Sequence, residues 1–404
     1  MKILVMQCSS TAYRCPIKYK FFDMNNETLL SKGLVEKVES ESWVLHHNPT
    51  NKPIKDISVD EPDYTCAISA ILTALTDKNC GVIQSIQEID AVGFRVVHGG
   101  EKYSKPLIIT PDVENFLEEC SAMAPLHNPY NIAGIKACEN LLPNVPMVAM
   151  FDTAFHQTMP AKAFLYGIPY EAYEKHGVRR YGFHGMSHQY VSERTAVLMD
   201  KPLSQLKIIT CHLGNGASLA AIQYGKSVDT SMGFTPLDGP IMNTRCGGID
   251  PAIFPYLMKK EGLSMEHMDS YLNSRSGVLG LSGVSGDFRK IILSAQKGNE
   301  RAEIALDVFA YTIKKFIGQY MAAMNGVDAI IFTAGIGENS PSLRAKICTG
   351  MEFIGVEIDP CRNDITGVER EISAAGSKIK LFVIPTNEEL MIARETRAVC
   401  ASLA

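Results

Sequence analysis

The sequence predicts an α/β protein built from two domains. Two observations carry this. Short apolar runs alternate with helical patterns along the chain, as strands and helices do when they pack in layers. The length of 404 residues exceeds one ordinary domain. "KILV" at Lys2–Val5 starts a first strand, and Lys18 to Phe22 forms a second. The polar stretch Met6 to Ile17 between them reads as a hairpin tip. A helix follows, with Ile68, Ile71, Leu72 and Leu75 on one face. "AVGFRVV", "VPMVAMF", "KIITCHL", "DAIIFTAG" and "KLFVIPT" fit buried strands. The clearest helix carries Leu306, Phe309, Ile313, Phe316, Ile317, Tyr320 and Met324 at 3, 4 and 7 spacing. "TNEELMIARETRAVCASLA" reads as a last helix capped by Thr386 or Asn387, with Glu388 and Glu389 in its first turn.

Composition removes several function classes. Hydrophobic residues make up 46% and charged residues 21%, as in ordinary globular chains. A net charge of -5 gives no basic footprint for nucleic acid or an anionic membrane. No stretch of about 18 apolar residues predicts a membrane span. The first residues lack the basic and apolar regions of a signal peptide. Eleven cysteines without a Cys-x-x-Cys pair read as reduced thiols in a cytoplasm, most of them small core residues. No repeat of 20–50 residues is visible.

Three strand-end turns suit an anionic ligand. The first is the opening hairpin. The second is "CHLGNGASLAAI", where Gly214, Asn215 and Gly216 tolerate positive φ and can aim backbone N–H groups inward. The third is "DAIIFTAGIGENS", where a strand ends in Gly335-Ile336-Gly337-Glu338-Asn339. Each turn alone is most simply structural, and none matches a dinucleotide or Walker pattern. Together they point to a nucleotide cleft.

Charged residues beside apolar strands complete the set. Arg95 lies inside "VGFRVVHGG", and Asp152 ends "VPMVAMFD". His184 sits in "RRYGFHGMSH", and Arg245 in "MNTRCGG". Asp287 and Arg289 sit in "GDFRK". Taken singly, Arg95 reads as a buried ion pair, Asp152 as a cap, and His184 as a core histidine. Together they suit phosphoryl transfer, which needs positioning and neutralisation of charge on planar oxygens, with Mg²⁺. No mixed Cys/His zinc spacing or exposed Ser-His-Asp order is present.

"RVVHGG", "APLHNP", "FDTAFHQTMP", "RRYGFHG-SH", "CHLGNGAS", "DTSMGFTPL-G", "GLSGVS-D-R", "FTAGIGENS" and "IPTNEELMIARET" resemble the acetate kinase family from about Asp90 onward. The resemblance implies the fold of the sugar kinase, Hsp70 and actin superfamily. That is a duplicated α/β, actin-like ATPase fold of two domains, each with a mixed five-stranded sheet and flanking helices, and nucleotide in the cleft. It implies one domain over 1–154, completed by a C-terminal helix at 388–404, and a second over 155–387. The implied reaction is reversible transfer between ATP and acetate, giving acetyl phosphate and ADP, by a cytoplasmic homodimer. A propionate kinase and a nucleotide-binding pseudo-kinase are the alternatives.

By motif, the resemblance makes Asp152, His184 and Arg245 catalytic. Arg95 would bind the substrate carboxylate or the phosphoryl group. Val97, Leu126, Phe183 and Pro236 would form the small acyl pocket. Lys18, His212, Leu213, Gly214, Asn215 and Gly216 would hold phosphate. Asp287, Phe288, Arg289, Gly335, Ile336, Gly337, Glu338 and Asn339 would contact nucleotide. Glu388 would bind Mg²⁺ (or Mn²⁺ in its place), with Gln7 standing where the family has Asn. Other departures are Phe94 for His, Met186 for Thr, Asn243 for Gly, Gly248 for Asp and Gly286 for Ser. The opening loop departs most. The family has Asn-x-Gly-Ser-Ser-Ser-x-Lys-Tyr. Here the tip is four residues longer, contains no Gly, offers Ser9 and Ser10, and loses an N–H donor at Pro16. Its flanks, including Lys18 and Tyr19, are intact.

Overall fold

The computed structural model describes residues 1–8, 17–37, 43–59, 63–125 and 127–402. The chain divides into two compact units, residues 1–154 with 387–404, and residues 155–386. Each is a mixed sheet with helices packed on it.

Unit 1 holds eight strands: β1 Lys2–Cys8, β2 Ile17–Asp23, β3 Thr28–Lys37, β4 Trp43–Pro49, β5 Lys55–Val59, β6 Ala91–Val96, β7 Leu107–Ile108 and β8 Met147–Phe151. Their order is β5-β4-β3-β2-β1-β6-β8-β7. Strands β1 to β5 form an antiparallel meander, β1, β6 and β8 run parallel, and β7 pairs antiparallel with β8. Of the parallel strands β8 is a continuous apolar run with each side chain buried, as in a strand covered on both faces. The opening hairpin is longer in strand than its sequence predicts. Its ladder continues through Met6↔Tyr19, Gln7↔Lys18 and Cys8↔Ile17; residues 9–16 lie outside the described residues. Residues 6–8 escaped notice as strand because a polar Gln interrupts the apolar run. Its half-exposed side chain alternates with buried Met6 and Cys8, as a period of two allows.

Unit 2 holds six strands: β9 Lys207–Leu213, β10 Ala217–Gln223, β11 Lys226–Thr230, β12 Ala329–Thr333, β13 Arg370–Glu371 and β14 Lys380–Val383. Their order is β11-β10-β9-β12-β14-β13. The pairing runs antiparallel, antiparallel, parallel, parallel, antiparallel. The series β3-β2-β1-β6-β8-β7 has the same pairing and the same chain order. The fold is therefore duplicated, with a five-stranded frame plus a two-residue edge strand in each unit, and with β4 and β5 added to the first. This repeat is written in hydrogen bonding rather than residues, which is why no sequence repeat betrays it.

The helices follow their apolar faces. Helix Tyr64–Thr76 buries Ile68, Ile71, Leu72 and Leu75 against the first sheet. Helix Glu300–Met324 starts at Asn299, whose side chain accepts from the Ala302 N–H. It buries six of the seven stripe residues and leaves Phe316 half-exposed. Helix Glu388–Ala401, capped by Asn387, packs against β1 and β6 of unit 1. No helix among the described residues is long and apolar enough to cross a membrane.

Candidate active site

In unit 1 the site grows from the ends of parallel strands. The Asp152 N–H donates to the Val96 carbonyl at 3.0 Å, extending the β6–β8 ladder by one residue. This sets the Asp152 carboxylate beside Arg95. Arg95 Nε donates to Asp152 Oδ1 at 2.8 Å and Nη2 to Oδ2 at 2.6 Å. Such a two-point fork fixes the guanidinium plane, a geometry that lysine lacks. Arg95 Nη1 turns to Glu388 Oε2 at 3.8 Å. Glu388 begins the C-terminal helix and exposes only 13% of its side chain. Burial pushes its carboxyl up to about 7; Asp152 and Glu389 add to the shift, and Arg95 and Lys18 oppose it. Lys18 faces Gln7 across the hairpin. Asn131 ties the strand ends together, donating to the Cys8 carbonyl and accepting from the Val97 N–H at 3.1 Å. Neither Asn131 nor its role is evident from the sequence, although "APLHNPYN" contains it.

In unit 2 His184 caps helix Gly185–Leu198 with a left-handed backbone, φ 57°. A residue with a Cβ holds that conformation at a cost of about 1–3 kcal/mol, a strain found mainly at functional positions. His156 helps to impose it by donating from Nε2 to the preceding carbonyl of Phe183 at 3.0 Å. The His184 ring stacks on His212 of β9, centroids 4.0 Å apart. Both imidazoles meet serines: His184 Nδ1 lies 2.8 Å from Ser218 Oγ, and His212 Nδ1 lies 2.7 Å from Ser187 Oγ. Arg245 lies half-buried with no carboxylate partner among the described residues. Its Nη1 donates to the Pro236 carbonyl at 3.2 Å, and burial lowers its pKa. A guanidinium left this way is suited to an incoming anion.

The Gly214–Gly216 turn joins β9 to β10 as expected, with Gly214 N–H donating to the Gly216 carbonyl at 3.0 Å. Its glycines serve a different purpose from the one predicted. None of residues 214 to 216 has positive φ. A Cβ on Gly216 would instead stand 3.3 Å from His184 Cε1 and 3.4 Å from Arg245 Nη1. Glycine lets those two side chains approach the backbone. The third turn is also corrected. Gly335 to Asn339 belong to helix Ala334–Asn339, directly after β12, rather than to an irregular turn.

A cavity of about 670 Å³ opens in unit 2. Gly214, Asn215, Asp287, Phe288, Arg289, Gly335, Ile336 and Asn339 line it. His212, Leu213, Gly216, Gly337 and Glu338 are not in its wall. Buried Glu338 accepts instead from the Thr386 N–H at 3.1 Å. Lys18 belongs to unit 1 and lies by Glu388. Val97 follows β6 in unit 1, and Phe183 and Pro236 belong to unit 2; Leu126 lies outside the described residues. The wall also contains Asn243, Gly286, Ile292 and Ser340, which motif reading does not single out as contacts. Asn243 and Gly286 are both departures from the family pattern, and they are neighbours. A Cβ on Gly286 would lie 3.7 Å from Asn243 Cβ and 3.3 Å from Thr244 Cγ2. Gly286 and Asn243 thus stand side by side in the cavity wall. At Gly248 an added Cβ would stand 3.0 Å from Asp238 Oδ1, so an aspartate there would crowd a like charge already paired with Arg180 at 3.2 Å. Phe94 and Met186 are simply buried.

Comparison with known proteins follows the same lines. The profile of the acetokinase family matches residues 2–394. The acetate kinase of Halothermothrix orenii is 53% identical over 402 residues, covering 100% of both chains. That of Clostridioides difficile is 54% identical over 398 residues, covering 98% of this chain and 99% of the relative. Among solved structures, Porphyromonas gingivalis acetate kinase superposes with a TM-score of 0.93 at 46% identity, covering 99% of each chain. A propionate kinase from Francisella tularensis superposes at 0.90 with 39% identity, covering 98% of this chain and 99% of that one. With its fold, its strand-end charges and its whole length in agreement, the chain belongs to the acetokinase family.

Proposed function

We propose that this chain transfers a phosphoryl group reversibly between ATP and acetate, giving acetyl phosphate and ADP. The observation that carries the reading is Arg95, locked by both oxygens of buried Asp152, in a chain with full-length acetate kinase relatives. In the forward direction an acetate oxygen bonds to the γ-phosphorus as the bond to the β,γ-bridging oxygen breaks. The electron pair leaves on ADP. Acetate is already an anion, so no general base is required. Asp152 therefore acts by holding Arg95, which orients the carboxylate or the phosphoryl oxygens. In unit 2 His184, His212 and Arg245 donate to the charge on the equatorial oxygens. The 670 Å³ cavity takes the nucleoside. The same reading carries a cytoplasmic homodimer.

Mg²⁺ suits the groups present. Among the described residues no side-chain donor hydrogen-bonds Glu388, which leaves its carboxylate oxygens open to a cation. Glu388, with Gln7 beside β2, would hold it, and the ion would neutralise phosphate charge.

The test is ADP release with Mg-ATP, with and without acetate. Saturable acetate-dependent turnover is expected; nucleotide binding without turnover would favour the pseudo-kinase, and propionate preferred over acetate would move the substrate. Restoring the family loop in place of Met6–Ile17 should raise that turnover. Glu388→Gln should raise the half-saturating Mg²⁺ concentration about 10-fold or more. An unchanged Mg²⁺ titration removes Glu388 from the metal site.

A further inference from the structure

We propose that Ser218 and Ser187 are positioning residues that fix His184 and His212 as neutral rings protonated on Nε2. The inference rests on the proposed role of these histidines toward phosphate. It comes from counting protons in two buried relays.

The first relay runs Thr210, His188, Ser218, His184. His188 Nδ1 lies 2.7 Å from Thr210 Oγ1, and its Nε2 lies 2.8 Å from Ser218 Oγ. Ser218 Oγ also lies 2.8 Å from His184 Nδ1. Thr210, His188 and Ser218 are all fully buried. Burial holds His188 neutral. A neutral imidazole has one N–H and one bare nitrogen, and each hydroxyl has one proton. Of the three arrangements that keep these contacts, the one in which both rings donate to Ser218 leaves the Ser218 proton without an acceptor among the described residues, and two remain. In one, Thr210 donates to His188 Nδ1, His188 Nε2–H donates to Ser218, and Ser218 donates to His184 Nδ1. Every proton then has an acceptor, and His184 carries its own proton on Nε2. In the other, all the bonds reverse. The Thr210 proton is then left without an acceptor among the described residues, at a cost of about 1–3 kcal/mol. The first arrangement is favoured.

The second relay is shorter. Thr386 Oγ1 donates to Ser187 Oγ at 2.8 Å. Ser187 is fully buried, and its one proton has His212 Nδ1 as acceptor at 2.7 Å. That leaves the His212 proton on Nε2. The two rings stack nearly parallel, 20° apart, as uncharged imidazoles do more readily than a pair of cations. Helix Gly185–Leu198 supplies Ser187 and His188 from its first turn, and the β9–β10 hairpin supplies Thr210, His212 and Ser218. One local fold thus builds both relays. Their product is a pair of N–H donors set in advance, requiring no proton rearrangement as phosphate charge develops.

The test reads tautomers directly. Imidazole ¹⁵N–¹H correlation spectra of the full chain at neutral pH, assigned with His184→Gln and His212→Gln, should show bare Nδ1 and protonated Nε2 in both rings. An Nδ1–H or imidazolium pattern in either overturns the proposal. In Ser218→Ala the His184 signals should shift to a tautomer mixture, with kcat reduced roughly 10- to 100-fold and KM values moving less than about threefold. Ser218→Thr, which keeps the hydroxyl, should restore both. Unchanged His184 signals in Ser218→Ala overturn the relay whatever turnover does. Should Ser218→Ala not fold, Thr210→Val removes the far hydroxyl at nearly constant volume and must give the same tautomer mixture. The spectra need no turnover, so failure of the relay is distinguishable from failure of the kinase reading.

Discussion

Asp152→Asn is expected to lower kcat about 10²- to 10³-fold while leaving the shape of the pH–rate profile unchanged. Both effects follow from one geometry. Asp152 uses both oxygens on Arg95, at 2.8 and 2.6 Å. Asparagine keeps one acceptor and sets an NH₂ group against guanidinium N–H donors, so the fork opens and Arg95 loses its fixed plane. A carboxylate serving as general base would behave differently. Its removal would abolish a limb of the pH profile. Acetate brings no proton to remove, so that limb is not expected to belong to Asp152. The variant also leaves Arg95 short of a partner, and loss of one member of a buried pair costs about 3–5 kcal/mol at most. Steady-state kinetics across pH, with urea unfolding of the same variant, separates the two consequences. A turnover within about twofold of the parent would remove Asp152 from the machinery.

The residues that sequence reading found here share a physical signature. Arg95 and Asp152 are charges placed within or at the end of apolar runs, where burial is costly without a partner. The strand runs and the long helix were legible because periodicity follows directly from backbone geometry. What stayed hidden was whatever depends on distant chain segments. The glycines at 214 and 216 look like a positive-φ turn. Only the folded chain shows that Gly216 is small so that His184 and Arg245 can approach. Gly335-Ile336-Gly337 looks like a loop because glycine is a poor helix former. It becomes a short helix through tertiary contacts. Ser187 and Ser218 are ordinary letters in a helix and a strand until their partners from other elements appear. That Asn243 and Gly286 are neighbours is likewise invisible, because residues 43 positions apart in sequence become adjacent wall positions.

Arg344 is the residue with the largest expected effect on stability, and no motif reveals it. It is fully buried, on helix Pro341–Cys348. Among the described residues no carboxylate pairs with it. Nε donates to Asn363 Oδ1 at 2.8 Å, and the carbonyls of Gly337, Glu338, Asn363 and Ile365 accept from its other nitrogens at 2.7 to 3.1 Å. Burial pulls the guanidinium down to about 10, so it stays charged at neutral pH. Two of its acceptors lie in helix Ala334–Asn339, whose Gly335, Ile336 and Asn339 line the cavity. Arg344→Met fills much of the volume but donates nothing. The Glu338 carbonyl keeps the Gly367 N–H at 3.1 Å and the Asn363 carbonyl keeps the Ile365 N–H at 2.8 Å, while the Gly337 and Ile365 carbonyls lose this donor. A loss of about 3–5 kcal/mol in unfolding free energy is expected, below the sum of the separate bonds because the buried charge disappears with them. With its anchor gone, the Ala334–Asn339 helix should hold its cavity side chains less firmly. KM for ATP should rise about 10-fold, while KM for acetate stays within about twofold. Arg344→Lys separates charge from geometry. A single ammonium keeps the charge but cannot spread donors over the oxygens that the planar fork reaches, so it should recover less than half of the lost stability. Full recovery by lysine would mean that charge alone holds this corner. A stability loss under about 1 kcal/mol in Arg344→Met would show that the carbonyls find other donors.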